Sequence, residues 1–133
     1  MSKTASQRRP KTVLHAAEPQ LFVSDLTASF AFYTQKLGFG IAFRYGEPPF
    51  YGQVERDAAK LNLRVVDEPV LDPGLRDREH MLSASITLDD ADALFLEFQS
   101  AGVDFAQTIK DEPWGARTFI VRDPDGNLIL FAS

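Results

Sequence analysis

The sequence predicts an α+β protein made of two β-α-β-β-β modules, and three observations point there. Apolar and polar residues alternate in short runs, two longer segments switch to helical spacing, and the whole order restarts after residue 80. A chain of 133 residues that is 44% apolar and holds eleven Phe can close one core of this kind.

The first module opens at Glu18-Pro19-Gln20-Leu21-Phe22-Val23, where Leu21 and Val23 face one side of a strand and Glu18, Gln20 and Phe22 the other. Ser24 or Asp25 then caps a helix over 26–37, whose apolar residues Leu26, Phe30, Tyr33 and Leu37 share a face, and Gly38 stands where a left-handed residue ends it. Strands follow at 39–45, 50–55 and 61–66, separated by Gly46-Glu47-Pro48-Pro49 and by Arg56-Asp57-Ala58. Residues 67–80 are rich in Pro and Asp and read as a connector.

The second module repeats the order. Residues 82–88 alternate as a strand, Asp89 or Asp90 caps a helix with Ala91, Leu94, Phe95, Phe98 and Ala101 on its apolar face, and Gly102 closes it. Strands at 103–107, 116–122 and 128–132 complete the unit. Gly102 lies 64 residues after Gly38, and Leu88 lies 65 after Val23, so the periodicity itself carries the duplication. The domain expected is 17–133, with modules at about 17–66 and 82–133 behind a tail at 1–16.

Lys3, Arg8, Arg9 and Lys11 sit in the tail without an acid, so the net charge of −5 becomes −9 for the rest of the chain. A body this acidic repels phosphate backbones and favours cationic partners, which argues against nucleic-acid binding. No apolar run approaches the roughly 18 residues that span a bilayer, and the first residues lack the apolar centre of a signal peptide, so a soluble cytoplasmic protein is expected. The chain has no Cys, which excludes disulfides, thiolate metal sites and thiol nucleophiles.

Three stretches carry a family resemblance. They are Val23-Ser24-Asp25-Leu26 through Phe32-Tyr33 to Leu37-Gly38-Phe39, then Pro48-Pro49-Phe50-Tyr51, then Pro113-Trp114-Gly115-Ala116-Arg117 running into Asp123-Pro124-Asp125-Gly126-Asn127-Leu128-Ile129. Together they resemble the vicinal oxygen chelate superfamily of glyoxalases, bleomycin resistance proteins and dioxygenases. The Pro-Trp-Gly and Pro-Pro-Phe-Tyr segments most resemble the bleomycin resistance proteins, and the resemblance covers about 17–133. It implies paired modules curled into a cup, assembled as a homodimer with each cavity near the subunit interface. By itself, Asp123 to Asn127 is an ordinary turn before a last strand, with Gly126 at positive φ.

Enzymes of that superfamily hold a divalent ion on four inward side chains, and the matching positions here are Glu18, Asn62, Ser83 and Leu130. Only Glu18 is a strong ligand, so no catalytic metal and no cofactor is expected. His15 and His80 match no ligand position and read as surface or packing residues.

The partner expected is an organic small molecule. The resemblance places Phe50, Tyr51 and Trp114 on the walls of a crevice, where flat rings stack on aromatic compounds. For Trp114 a dimer interface or the core remains the other reading. Asn62, Arg64 and Ser83 are expected to hydrogen bond to the ligand. Arg64 and Arg117 either orient its anionic or carbonyl groups or pair with Glu18 or a nearby Asp. The alternative is an enzyme of the same superfamily, which either uses Glu18, desolvated in the cup, as a general base in a metal-free site or recruits a metal through unmatched residues.

Overall fold

Alternation and helical spacing give the expected element order in the computed structural model, which describes residues 12–70 and 72–133. The basic side chains of the tail lie outside the described residues. The first module is β1 (Gln20–Val23), α1 (Leu26–Gln35), β2 (Gly40–Tyr45), β3 (Tyr51–Arg56) and β4 (Ala59–Val65). After α2 (Pro73–Arg78), the second is β5 (Leu82–Thr87), α3 (Ala91–Ser100), β6 (Asp104–Asp111), β7 (Arg117–Arg122) and β8 (Leu128–Ala132).

The two sheets have the same plan, β1-β4-β3-β2 and β5-β8-β7-β6. In each, the first and last strands of the module pair parallel across the helical crossover, and the other neighbours are antiparallel. The caps repeat too. Asp25 Oδ1 accepts from Ala28 N at 3.1 Å, and Asp90 Oδ1 accepts from Ala93 N at 3.1 Å, each satisfying one orphan donor of a first helical turn.

One core joins the modules. Leu21, Val23, Leu61 and Leu63 of the first sheet belong to the same buried cluster as Phe98, Phe119, Ile129 and Phe131 of the second, with Tyr33 of α1 among them. Phe119 stacks on Phe131 at 5.1 Å, and Phe98 meets both edge-on. Ion pairing crosses the junction as well, since Arg56 grips Glu97 at 2.7 Å.

Four expectations need correction. α1 stops at Gln35 instead of Leu37, with Lys36 as its C-cap, and β6 runs on to Asp111 instead of stopping at Gln107. The connector contains a helix, because the Asp72 side chain accepts from Gly74 N and Leu75 N while Pro73 fills the first helical position, where its missing N–H costs nothing. Finally, the Asp123 to Asn127 turn is more than a turn. Asp123 and Asn127 are buried, and they bind elements of both modules. Tyr33 Oη donates to Asp123 Oδ2 at 2.9 Å. Asn127 Nδ2 donates to the Phe22 carbonyl and to Asp123 Oδ2, while its Oδ1 accepts from Arg76 Nη1 and Ser83 Oγ.

Candidate functional site

The face of each sheet turned away from its helix is fixed by strand parity. In β7, Phe119 and Val121 lie in the core with α3, so Thr118 and Ile120 look the other way. The strand registers then lay out rows of side chains on this inner face. On the first sheet one row reads Gln20, Asn62, Gln53, Phe43, and the next reads Phe22, Arg64, Tyr51, Tyr45. On the second sheet the central row reads Ser85, Leu130, Ile120, Gln107. The duplicated modules therefore carry unlike inner faces, one rich in amides and aromatic rings, the other centred on two aliphatic residues.

The aromatic group belongs to the β2–β3 hairpin. Phe43 lies 5.7 Å from Tyr51, and Tyr45 meets Phe50 edge-on at 5.7 Å. Phe43, Tyr45 and Phe50 are 42%, 67% and 48% exposed, so these rings do not serve the core. At the turn, Gly46 has φ +103°, and a Cβ there would come within 2.3 Å of the Phe50 ring, so glycine lets that ring fold back over the hairpin.

Beside the rings, Glu18 Oε1 accepts from Gln53 Nε2 at 3.0 Å and from Asn62 Nδ2 at 3.4 Å. Gln53 also donates to Asn62 Oδ1 at 2.8 Å, and both amides are buried. Sequence reasoning found Glu18 and Asn62 but missed Gln53. Its parity with Tyr51 was available, yet its place opposite Asn62 depends on the β3–β4 register. Arg64 is exposed on the next row, and among the described residues it makes no ion pair.

The remaining expected residues go elsewhere. Trp114 stands 74% exposed in the β6–β7 turn and has no aromatic neighbour among the described residues, so the protomer does not bring it against Phe50 and Tyr51. Ser83 sits in a register irregularity between Leu82 and Ala84, and its hydroxyl donates to Asn127 Oδ1 at 3.2 Å. The irregularity takes it out of the alternation that would have set it beside Ser85. Arg117 shares the parity of Phe119 and lies on the helix side, bonded to Asp92 of α3 and to Asp111. Of the two readings of Arg117, the protomer shows the pairing with a nearby Asp. His15 and His80 are exposed.

The four matched positions do not fit a divalent cation. Glu18 is one carboxylate already clamped by two amides, Asn62 is a carboxamide bonded to Gln53, Ser83 serves Asn127, and Leu130 has no donor atom. Hard and borderline cations need several anionic or imidazole donors converging, which this set lacks. Glu18 is exposed in the protomer, so the desolvated setting required of a general base is absent there. Two buried groups with shifted values lie off the inner face. Burial, then the Asp123 charge, raises Tyr33 well above the ordinary phenol value, and burial raises Asp123 above the usual carboxylate range against the bonds it accepts from Asn127 and Tyr33.

This fold, with its two four-stranded mixed sheets and their helices, is a family architecture. Residues 12–131 match the Glyoxalase/Bleomycin resistance protein/Dioxygenase superfamily, and the chain belongs to it. Among curated relatives it is similar to the bleomycin resistance protein of Geobacillus stearothermophilus, 31% identical over 121 residues that cover 85% of this chain and 92% of the relative. Among solved structures it is similar to the bleomycin-binding protein from bleomycin-producing Streptomyces verticillus complexed with copper(II)-bleomycin, at 26% identity and TM-score 0.69, covering 90% of this chain and 96% of that one. It is likewise similar to a bleomycin resistance determinant encoded on transposon Tn5, at 25% identity and TM-score 0.70, covering 90% and 98%. Among the described residues no helix is long and apolar enough to cross a membrane.

Proposed function

We propose that residues 17–133 form one small-molecule binding domain that sequesters an aromatic, cationic compound of the bleomycin type without using a metal ion. The observation that carries this reading is the group of four rings on one hairpin, Phe43, Tyr45, Phe50 and Tyr51, three of them exposed beside a row of amides. Contiguous exposed aromatic surface is costly for a soluble protein unless something covers it. Flat rings on a rigid hairpin stack on a planar ligand with little loss of side-chain freedom, while Asn62 and Arg64 supply polar contacts on the same face. The acidic balance of the chain draws a cationic ligand toward it. The relatives named above are called bleomycin resistance or bleomycin-binding proteins, which is why bleomycin is the first ligand to test.

In this reading the protein works as a cytoplasmic homodimer with two equivalent crevices. Trp114, exposed at a hairpin tip, supplies a wall that assembly brings against the aromatic hairpin. The test is titration of Trp114 fluorescence and calorimetry with metal-free and copper-bound bleomycin, with and without chelator, alongside sedimentation. Saturation at one ligand per chain, lost in Trp114→Ala and in the Phe43→Ala/Tyr45→Ala double variant and unaffected by chelator for the metal-free drug, supports the proposal. Absence of heat and of fluorescence change with bleomycin and with a panel of aromatic cations sinks it.

A further inference from the structure

The hydrogen-bond polarity of the Glu18, Gln53 and Asn62 trio follows from the chemistry of its members. A carboxylate only accepts, so Gln53 must turn its NH₂ toward Glu18, and the second hydrogen of that NH₂ goes to Asn62 Oδ1. Reversing the Gln53 amide would set a carbonyl against a carboxylate, so the orientation is dictated by the network. Both Gln53 hydrogens are thereby used. What the trio leaves unbonded among the described residues is two acceptors, Glu18 Oε2 and Gln53 Oε1, and one hydrogen of Asn62 Nδ2, so acceptors outnumber donors and one of them is anionic. Among the described residues the sealed side-chain atoms without a partner are Ser29 Oγ and Arg76 Nε, so Gln53 Oε1 is open to solvent, and Glu18 is an exposed residue. No Lys or Arg among the described residues pairs with the Glu18 charge.

Phe43 stands directly opposite Gln53 in the β2–β3 register, with Tyr51 5.7 Å from its ring. An anionic acceptor bonded to the residue that stands opposite an aromatic pair is complementary to a cation that donates hydrogen bonds and carries a ring of its own. We propose that Glu18, Gln53 and Asn62 form the seat of an ammonium or amidinium group whose attached ring runs along Phe43 and Tyr51. Gln53 acts as a positioning residue that holds one carboxylate oxygen so that the other faces the ligand. The inference rests on the ligand-binding reading above and specifies which end of the ligand goes where.

The experiment compares two probes that share one ring and differ in the attached group, the cation 1-naphthylmethylamine and the neutral 1-naphthylmethanol, each displacing bleomycin from the full chain in a calorimetric competition. The amine is expected to bind about tenfold more tightly than the alcohol, and high salt should shrink that preference in the unaltered protein. Glu18→Gln should erase the preference by weakening the amine far more than the alcohol, and Gln53→Met should reduce it several-fold, both with unchanged circular dichroism. Equal binding of the two probes, a preference indifferent to salt, or a preference that survives Glu18→Gln overturns the seat and leaves aromatic sequestration standing. Failure of bleomycin and both probes to bind overturns sequestration and the seat together.

Discussion

Tyr33→Phe removes one oxygen atom and tests whether the buried polar junction holds the two modules together. Tyr33 is fully buried, and its hydroxyl donates to Asp123 Oδ2 at 2.9 Å across 90 residues of sequence. A hydrogen bond to a charged acceptor contributes roughly 1.5–3 kcal/mol. Asp123 keeps its bonds from Asn127 Nδ2, Asn127 N and Asp125 N, and a phenyl ring no longer has a hydroxyl to desolvate, so the net loss should be nearer 1–2 kcal/mol, as an order of magnitude. For a chain of 133 residues the unfolding entropy is about 0.28 kcal/mol/K, so Tm should fall by roughly 4–7 °C. The assay is thermal and urea unfolding followed by far-UV circular dichroism at fixed protein concentration, because Trp114 is too exposed to report on the core. A cycle with Asp123→Asn should give a coupling of about 1 kcal/mol or more. A Tyr33→Phe variant as stable as the parent, or strict additivity with Asp123→Asn, would refute the claim that this contact ties the modules.

Three further outcomes are expected. Because burial lifts Asp123 above its unfolded value, its contribution is fully present below the ordinary carboxylate range and is lost as pH rises through the folded value. The parent should therefore gain stability relative to Asp123→Asn as pH falls from neutral toward 4, measured by urea unfolding at a series of pH values. Glu97 has the opposite sign, since its hydrogen bond with Arg56 lowers it, so that ion pair supports the fold above the ordinary carboxylate value and weakens as pH falls through the folded one. Both partners are substantially solvated, so Glu97→Gln should cost no more than about 1 kcal/mol in urea unfolding near neutral pH. Gly46→Ala should displace the Phe50 ring and weaken metal-free bleomycin binding several-fold in calorimetry, with secondary structure intact by circular dichroism.

The sheets and the two long helices were legible because their residues obey local rules. Strand alternation set Leu21 and Val23 on one side, which is the core side, and both aspartate caps stood where an oxygen acceptor was needed. The short helix α2 also had its signal, Asp72 followed by Pro73, but six residues give too little periodicity to stand out from a connector. Arg117 could have been placed on the helix side from its parity with Phe119 and Val121. Gln53 and Ser83 are different cases. Gln53 acquires its role from the residue across β4, and Ser83 loses its expected role through a pairing irregularity, and neither is written in the local sequence. The burial of Asp123 and Asn127 is likewise invisible, since the same five residues make a good exposed turn.

The unlike inner rows of the two sheets have a consequence for how a captured molecule is read. A binding surface that repeated itself by duplication would accept an elongated ligand equally well in either direction. Here one half offers amides, a carboxylate and rings, while the other centres on Leu130 and Ile120. Broken internal symmetry of this kind makes recognition vectorial. In the proposed ligand-binding reading, a guest that spanned both halves would meet different groups at its head and at its tail.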